Sequence, residues 1–482
     1  METQLNKKRP APSRLRQGHP AKAGIIAKSP PWRGGLTGEA VGRGGSFLFL
    51  TLLSYKKYFI WFLLSWAIQF SAVAQTSLDT TSVVWREGYL DIHHINTGRG
   101  VCSFFVLPDG TTMLLDAGDL DDEPYKQPNG KSWPLTITEP YPDNSKNSGE
   151  WIAHYIQQVM PSDWKVSLDY AILTHFHSDH LGIITSQTKT AVRGDYKLTG
   201  LTQVGDLIPI RKLIDRDYPK YDFPTDLRGA YRAEPSIFLN YLRFVAYHQK
   251  NGLQVESLKV GVDDQIVLQK MPQQYPNFKI RGVKNNGTIW TGNGTDTFSH
   301  STADSVLDAK QKFNENPLSM AIKLSYGKFD YFMGGDNTGL QGYGLPKWFD
   351  TETPMAKAVG KVEVTTLNHH GNRDATNENF LRALQPKAVV EQTWCSDHPG
   401  QEVMHRLLSE HIYKGEKNIF VTNIQKTTMG TLGFWFTRGY KSLFGHVITR
   451  VLPNGNGFYI LIAETIEQKV KIKKVFGLYS SE

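Results

Sequence analysis

Nine residues constrain this chain more than any others: Thr174-His175-Phe176-His177-Ser178-Asp179-His180-Leu181-Gly182. Three imidazoles and a carboxylate fall within six positions, directly after the apolar run Tyr170-Ala171-Ile172-Leu173. Such a run reads as a buried strand, so the cluster falls on the loop at its end. Alternate residues of an extended chain point the same way. His175 and His177 can therefore grip one cation, while Asp179 and His180 turn towards a second. Imidazole and carboxylate at this density suit zinc or a similar divalent ion. A polar loop rich in histidine by accident would have to place four residue types in register.

The 482 residues leave room for a large buried core without disulfide staples. The formal charge of +8 misleads. Residues 1–74 carry 11 of the 54 Lys/Arg and two of the 46 acids, which leaves 43 basic and 44 acidic residues in 75–482. The body is close to neutral and gives no strong signal for nucleic-acid binding. Lys56-Lys57, the apolar stretch Tyr58 to Phe70 and Ala72-Val73-Ala74 form an export signal with cleavage after Ala74. The stretch is shorter than the about 20 residues of a membrane span. The expectation is an exported protein, periplasmic or extracellular, with no stable membrane span after cleavage. Residues 1–45, rich in Arg, Gly and Pro, read as a disordered basic leader. Cys102 and Cys395 make no disulfide framework; they read as small buried residues, with a single disulfide in an oxidising compartment as the alternative.

Beyond the leader one domain is expected over 75–482. Strand patterns run from Leu90 to Ile95, Val101 to Leu107 and Thr112 to Leu115, the last leading into Asp116-Ala117-Gly118-Asp119. Helical spacing covers Trp151 to Met160 and Pro235 to Asn251. Residues 186–312 read as an insertion or cap over the active face. Then Met320 to Ser325 and Phe329 to Met333 form a hairpin ending in Gly334-Gly335-Asp336. Val362 to Leu367 leads into Asn368-His369-His370-Gly371, and Ala388 to Gln392 leads into Trp394-Cys395-Ser396-Asp397-His398-Pro399. Four separate strands thus end in metal-ligand residues, and loops at strand ends converge on one edge of a layered fold.

These motifs resemble the metallo-β-lactamase fold, and within it the secreted group related to the C-terminal domain of competence protein ComEC. His175-x-His177-x-Asp179-His180 matches the superfamily signature; Asn316-Pro317-Leu318-Ser319-Met320 through Gly335-Asp336, Asn368-His369-His370-Gly371 and His398-Pro399 match the group's later elements. The early turn reads Gly98-Arg99-Gly100-Val101, where the group often has Gly-Gln-Gly-Asp. His248 and His300, between the signature and Asp336, have no strand-end context, which argues against β-lactam hydrolysis. The resemblance implies an α/β (αββα) four-layer sandwich with a long insertion. It further implies one metal on His175, His177 and one of His369 or His370. A second would sit on Asp179, His180 and His398, with Asp336 bridging and Asp116 orienting a ligand imidazole.

Two divalent ions, zinc foremost, would share a hydroxide at neutral pH and stabilise a developing oxyanion, with Asp179 as the catalytic carboxylate orienting the attack. The implied activity is hydrolysis of a small-molecule or polymeric phosphodiester. The alternatives are a lactone or carboxylic ester hydrolase of the same fold, or a metal-binding surface module without turnover. Arg211, Arg216, Arg228 and Arg232 could form a local basic groove for DNA.

Overall fold

The structure, a computed structural model, describes residues 80–122, 135–342 and 344–482. The leader and export signal expected within 1–74 lie outside the described residues. The chain builds one sheet, then a second, then returns to the first. Strands β1 (Leu90–His94), β2 (Cys102–Val106), β3 (Thr112–Ala117), β4 (Leu168–Ile172), β5 (Ile210–Asp215) and β6 (Gln254–Ser257) open the first sheet. The second comprises β7 (Phe278–Asn285), β8 (Thr288–Trp290), β9 (Thr297–Ser299), β10 (Ala321–Tyr326), β11 (Phe329–Met333), β12 (Val364–Thr366), β13 (Ala388–Glu391), β14 (Asn418–Val421) and β15 (Tyr440–Ser442). Strands β16 (His446–Val451), β17 (Gly457–Ile466) and β18 (Lys469–Ser480) then pair back onto β1. The strand orders are β18-β17-β16-β1-β2-β3-β4-β5-β6 and β15-β14-β13-β12-β11-β10-β7-β8-β9.

Strand alternation makes the layers. In β3, Met113 and Leu115 point between the sheets, while Leu114 and Ala117 face an outer helical layer. In β13, Ala388 and Val390 point inward and Val389 outward. Both faces of these strands are buried, which is why they read as continuous apolar runs. Helices Ser148–Val159, Gly200–Leu207 and Ile237–Gln249 cover the first sheet through Ile152, Ile156, Leu201, Val204, Phe238 and Phe244. Helices Glu352–Val359, Glu378–Leu384 and Gln401–Leu407 cover the second through Met355, Val359, Phe380, Leu381 and Met404. The architecture is therefore helix, sheet, sheet, helix.

Two local differences from the sequence reading have plain causes. The first helix begins at Ser148, before Trp151, because Asn147 and Glu150 form a reciprocal cap: Glu150 N donates to Asn147 Oδ1 at 2.8 Å and Asn147 N to Glu150 Oε2 at 2.9 Å. Pro235 precedes the later helix, whose cap is Ser236, accepting from Leu239 N at 3.1 Å. Residues 186–312, expected as an insertion or cap, supply β5 to β9 and widen both sheets. The consecutive charges Arg211 and Lys212 interrupt the apolar pattern of β5 and hide it from a pattern search, whereas Lys279 and Arg281 alternate with Phe278 and Ile280 in β7.

The parallel pairs β3–β4, β4–β5, β11–β12 and β12–β13 bring their carboxyl ends to a common rim. Near it, Glu391 at the end of β13 is fully buried, with one hydrogen bond, from Tyr440 Oη to Oε2 at 2.5 Å, and none to Oε1. Burial pushes its carboxyl up to about 8 from an ordinary 4.5, and the Tyr440 bond only partly opposes this. Its contribution to stability is complete below the unfolded value and is lost as pH rises through the folded one. Glu391→Gln should therefore gain stability over the parent between pH 5 and 8, on the order of a few kcal/mol. Thermal melts of both proteins across that range check this, and parallel curves would refute it.

Candidate metal centre

Asp116 ends β3 in a left-handed conformation (φ 57°) that a non-glycine residue adopts at a cost. Its carboxylate accepts from Thr174 N at 2.8 Å and Thr174 Oγ1 at 2.7 Å, and lies 2.7 Å from His180 Nδ1. With Nδ1 engaged, His180 presents Nε2 to Asp336 Oδ1 at 3.1 Å and Asp179 Oδ2 at 3.5 Å. Asp179 and His180 lie on the short helix Ser178–Leu181 that follows the extended His175 to His177 stretch.

Asp336 arrives from the other sheet, at the end of the β10–β11 hairpin. Gly335 there has φ 54°, and a Cβ on it would meet Thr174 Cβ at 3.0 Å, so glycine lets the hairpin reach the first sheet's loop. His369 and His370 follow β12, again with left-handed backbone (φ 45° and 56°). His370 Nδ1 donates to Gln392 O at 2.9 Å, and Nε2 faces Asp179 Oδ2 at 2.9 Å and Asp336 Oδ2 at 3.3 Å.

Two ligand groups result, each with donor atoms within 4.8 Å of one another: Asp179, His180, Asp336 and His370; and His175, His177 and Asp336. Asp336 is common to both. His175 Nε2, His180 Nε2 and Asp336 Oδ2 are buried without a hydrogen bond of acceptable geometry. Buried polar atoms are nearly always satisfied, and an ion could satisfy these three together. Imidazole nitrogen and carboxylate oxygen fit a zinc-type cation.

The grouping differs from that expected from sequence. His370, not His369, is the ligand candidate of its pair, and it joins Asp179 and His180 rather than His175 and His177. The left-handed His-His turn sends the two rings apart. His369 Nδ1 lies 2.6 Å from Asp374 Oδ1, and Nε2 is 2.9 Å from Asn316 Nδ2. His398 joins Cys395 and Asp397 instead of Asp179 and His180. That trio is closed on itself, because Cys395 Sγ donates to Asp397 Oδ1 at 2.6 Å and lies 3.5 Å from His398 Nδ1. The His398 ring stacks on His370 at 4.7 Å. Arg216, expected in a basic groove, is fully buried against Glu315 and cannot line one. His248 contacts Tyr196 and His300 contacts Trp348 O; against expectation His300 directly follows β9, yet neither belongs to a ligand group among the described residues.

Burial is the largest influence on every group here. It lowers His175, reinforced by His180. In His180, burial is outweighed by Asp336, Asp179 and Asp116, which raise it well above the usual imidazole value. Burial would raise Asp179 and Asp336, yet the surrounding imidazoles hold both lower, ionised and able to ligate. Sequence reading missed Trp394, whose indole N–H donates to Asp179 Oδ2 at 3.0 Å, and Gln392, which holds His370. Both lie in the strand-end loop that carries His398, where an indole beside metal-ligand residues was the available signal.

The two stacked nine-stranded sheets between helical layers, with the His-x-His-x-Asp-His loop at the end of β4, are consistent with a metallo-β-lactamase-like sandwich. No protein-family model matches the chain. In sequence it is similar to ComE operon protein 3 of Bacillus subtilis (strain 168), 24% identical over 134 residues, which is 27% of this chain and 16% of the relative. Solved structures with some likeness include zinc-bound PqqB from Methylobacterium extorquens (TM-score 0.37, 9% identity, covering 75% of this chain and 99% of that one). Another is a mutant of CmlA beta-hydroxylase (TM-score 0.34, 11% identity, covering 75% and 54%).

Asp116→Asn keeps the shape and the left-handed backbone but weakens the acceptor at His180 Nδ1. Affinity for the ion held by His180 should fall by about 10–100-fold. Zn2+ titration calorimetry with a competing chelator measures this, and an unchanged affinity would remove Asp116 from the metal centre.

Proposed function

We propose that this chain is an exported, dinuclear metal-dependent hydrolase that cleaves a phosphodiester. The observation that carries the reading is Asp336, a buried carboxylate common to two ligand groups and surrounded by imidazole nitrogens lacking hydrogen bonds. His175, His177 and Asp336 would hold one ion; Asp179, His180, Asp336 and His370 would hold the other. Ions bound there would acidify water and stabilise the charge developing on phosphorus, with zinc favoured by the donor set.

The chain's own residues do the rest. Asp179, which accepts at Oδ2 from the Trp394 indole, is the catalytic carboxylate that orients the attacking water. His177 and His369 are the partly exposed imidazoles at the rim and mark the side from which substrate enters. Cys395 is no nucleophile, since burial and the neighbouring Asp397 push its thiol far up. The resemblance to the ComEC-related group favours a phosphodiester over a lactone or carboxylic ester. Export rests on the basic, apolar and small-residue pattern of 56–74. No helix among the described residues is long and apolar enough to cross a membrane.

Hydrolysis of bis-p-nitrophenyl phosphate should vanish with chelator and return with Zn2+. Asp179→Asn should lower the rate by about 100-fold or more. Turnover of a chromogenic carboxylic ester alone would favour the ester reading. Metal binding without turnover of either would favour a surface module, and chelator-insensitive phosphodiesterase activity would refute the mechanism.

A further inference from the structure

Phe176, the residue between the two histidines of the signature, is gripped from its inner side. Its N–H donates to Glu315 Oε1 at 3.1 Å. Its ring lies 4.9 Å from the Arg216 guanidinium and packs on Phe238 and Tyr241 at 4.8 and 5.7 Å. Arg216, just past the end of β5, is fully buried and binds Glu315 through two parallel bonds, Nε to Oε1 at 2.7 Å and Nη2 to Oε2 at 2.9 Å. Its Nη1 donates to Phe223 O and Asn286 Oδ1 at 3.0 and 2.9 Å. Tyr231 Oη adds a further donor to Glu315 Oε2 at 2.9 Å. The carboxylate thus receives Arg216, Tyr231 and the backbone of the metal loop together.

The following residues continue the contact. Asn316 meets His369, Ser319 Oγ accepts from Asp336 N at 3.2 Å, and Met320 N donates to Thr174 O at 3.0 Å. Buried Lys284 pins the turn by donating to Pro317 O at 2.6 Å and Ser319 O at 3.0 Å. A forked Arg–carboxylate pair is rigid, and burial makes its disruption costly. A backbone N–H tied to that pair determines where the flanking imidazoles stand. The other ligand group is oriented by Gln392 and Trp394 and by Asp116, which also holds Thr174 beside His175.

We propose that Glu315, locked by Arg216 and Tyr231, is the positioning residue of the His175/His177 half of the metal centre. Acting through Phe176 N, it sets the affinity of that half more than that of the Asp179/His180/His370 half, with which it shares Asp336. This rests on the dinuclear reading above.

The test is Zn2+ titration of the full chain by calorimetry with a competing chelator, repeated with Co2+ and read by visible absorption. The parent protein should bind two ions. Glu315→Gln should weaken one by about 10–100-fold and leave the other within about threefold. Trp394→Phe, which removes the indole donor to Asp179 Oδ2, should weaken mainly the opposite ion, which assigns the halves. Tyr231→Phe removes a single donor and preserves the packing, so it remains informative if Glu315→Gln fails to fold. It should weaken the same ion as Glu315→Gln by about 2–10-fold. Two ions bound with parental affinity in both variants, or both ions weakened equally, would overturn the role of Glu315 alone. A parent protein that binds no Zn2+ would overturn the dinuclear reading and this inference together.

Discussion

The rest of the structure depends on the meeting of Asp336 with imidazoles from the opposite sheet. Its carboxylate lies 3.7 Å from His175 Nε2 and 3.1 Å from His180 Nε2, both on the first sheet's loop, and 3.3 Å from His370 on its own. Burying a carboxylate costs several kcal/mol unless charge and hydrogen bonds compensate. Asp116, Asp179 and Asp336 are all nearly sealed from water at one rim. The two sheets must therefore close with the loops in one register, or three buried charges lose their partners together.

That demand explains the polar contacts behind the ligands. The ring nitrogen turned away from the cluster is engaged in His180 by Asp116 and in His370 by Gln392 O, while His175 Nδ1 lies 3.2 Å from Thr174 Oγ1. Gln392 also receives Ser103 Oγ and donates to Cys102 O, so the residue that aims His370 stitches the second sheet to β2 of the first. Left-handed backbone at Asp116, His369 and His370 is a local cost that these bonds overcome. The apolar layer between the sheets, including Phe105, Ile322, Leu324 and Tyr331, supplies the non-directional drive, and the polar rim supplies the registration.

Much of this was legible in the sequence. The strand before the His-rich loop, the β10–β11 hairpin and the strands preceding His369 and His398 follow from short apolar runs with turn residues at their ends. What stayed hidden has definite causes. The adjacent charges Arg211 and Lys212 break the run of β5, so its membership of the first sheet does not show in a one-dimensional pattern. Glu315 and Arg216 look like ordinary solvated charges, and their burial arises only when segments 99 residues apart meet.

The sequence by itself determined the chemistry at the rim. Imidazoles and carboxylates placed at strand ends select for divalent ions whatever the details of packing, because ligand type and local spacing are covalent properties. Only the tertiary structure decided which histidine faces which acid. The His369-His370 turn flips its two rings apart, and His398 is drawn to Cys395 and Asp397. Those outcomes hinge on backbone dihedrals and on neighbours distant in the chain, which residue order alone does not encode at short range.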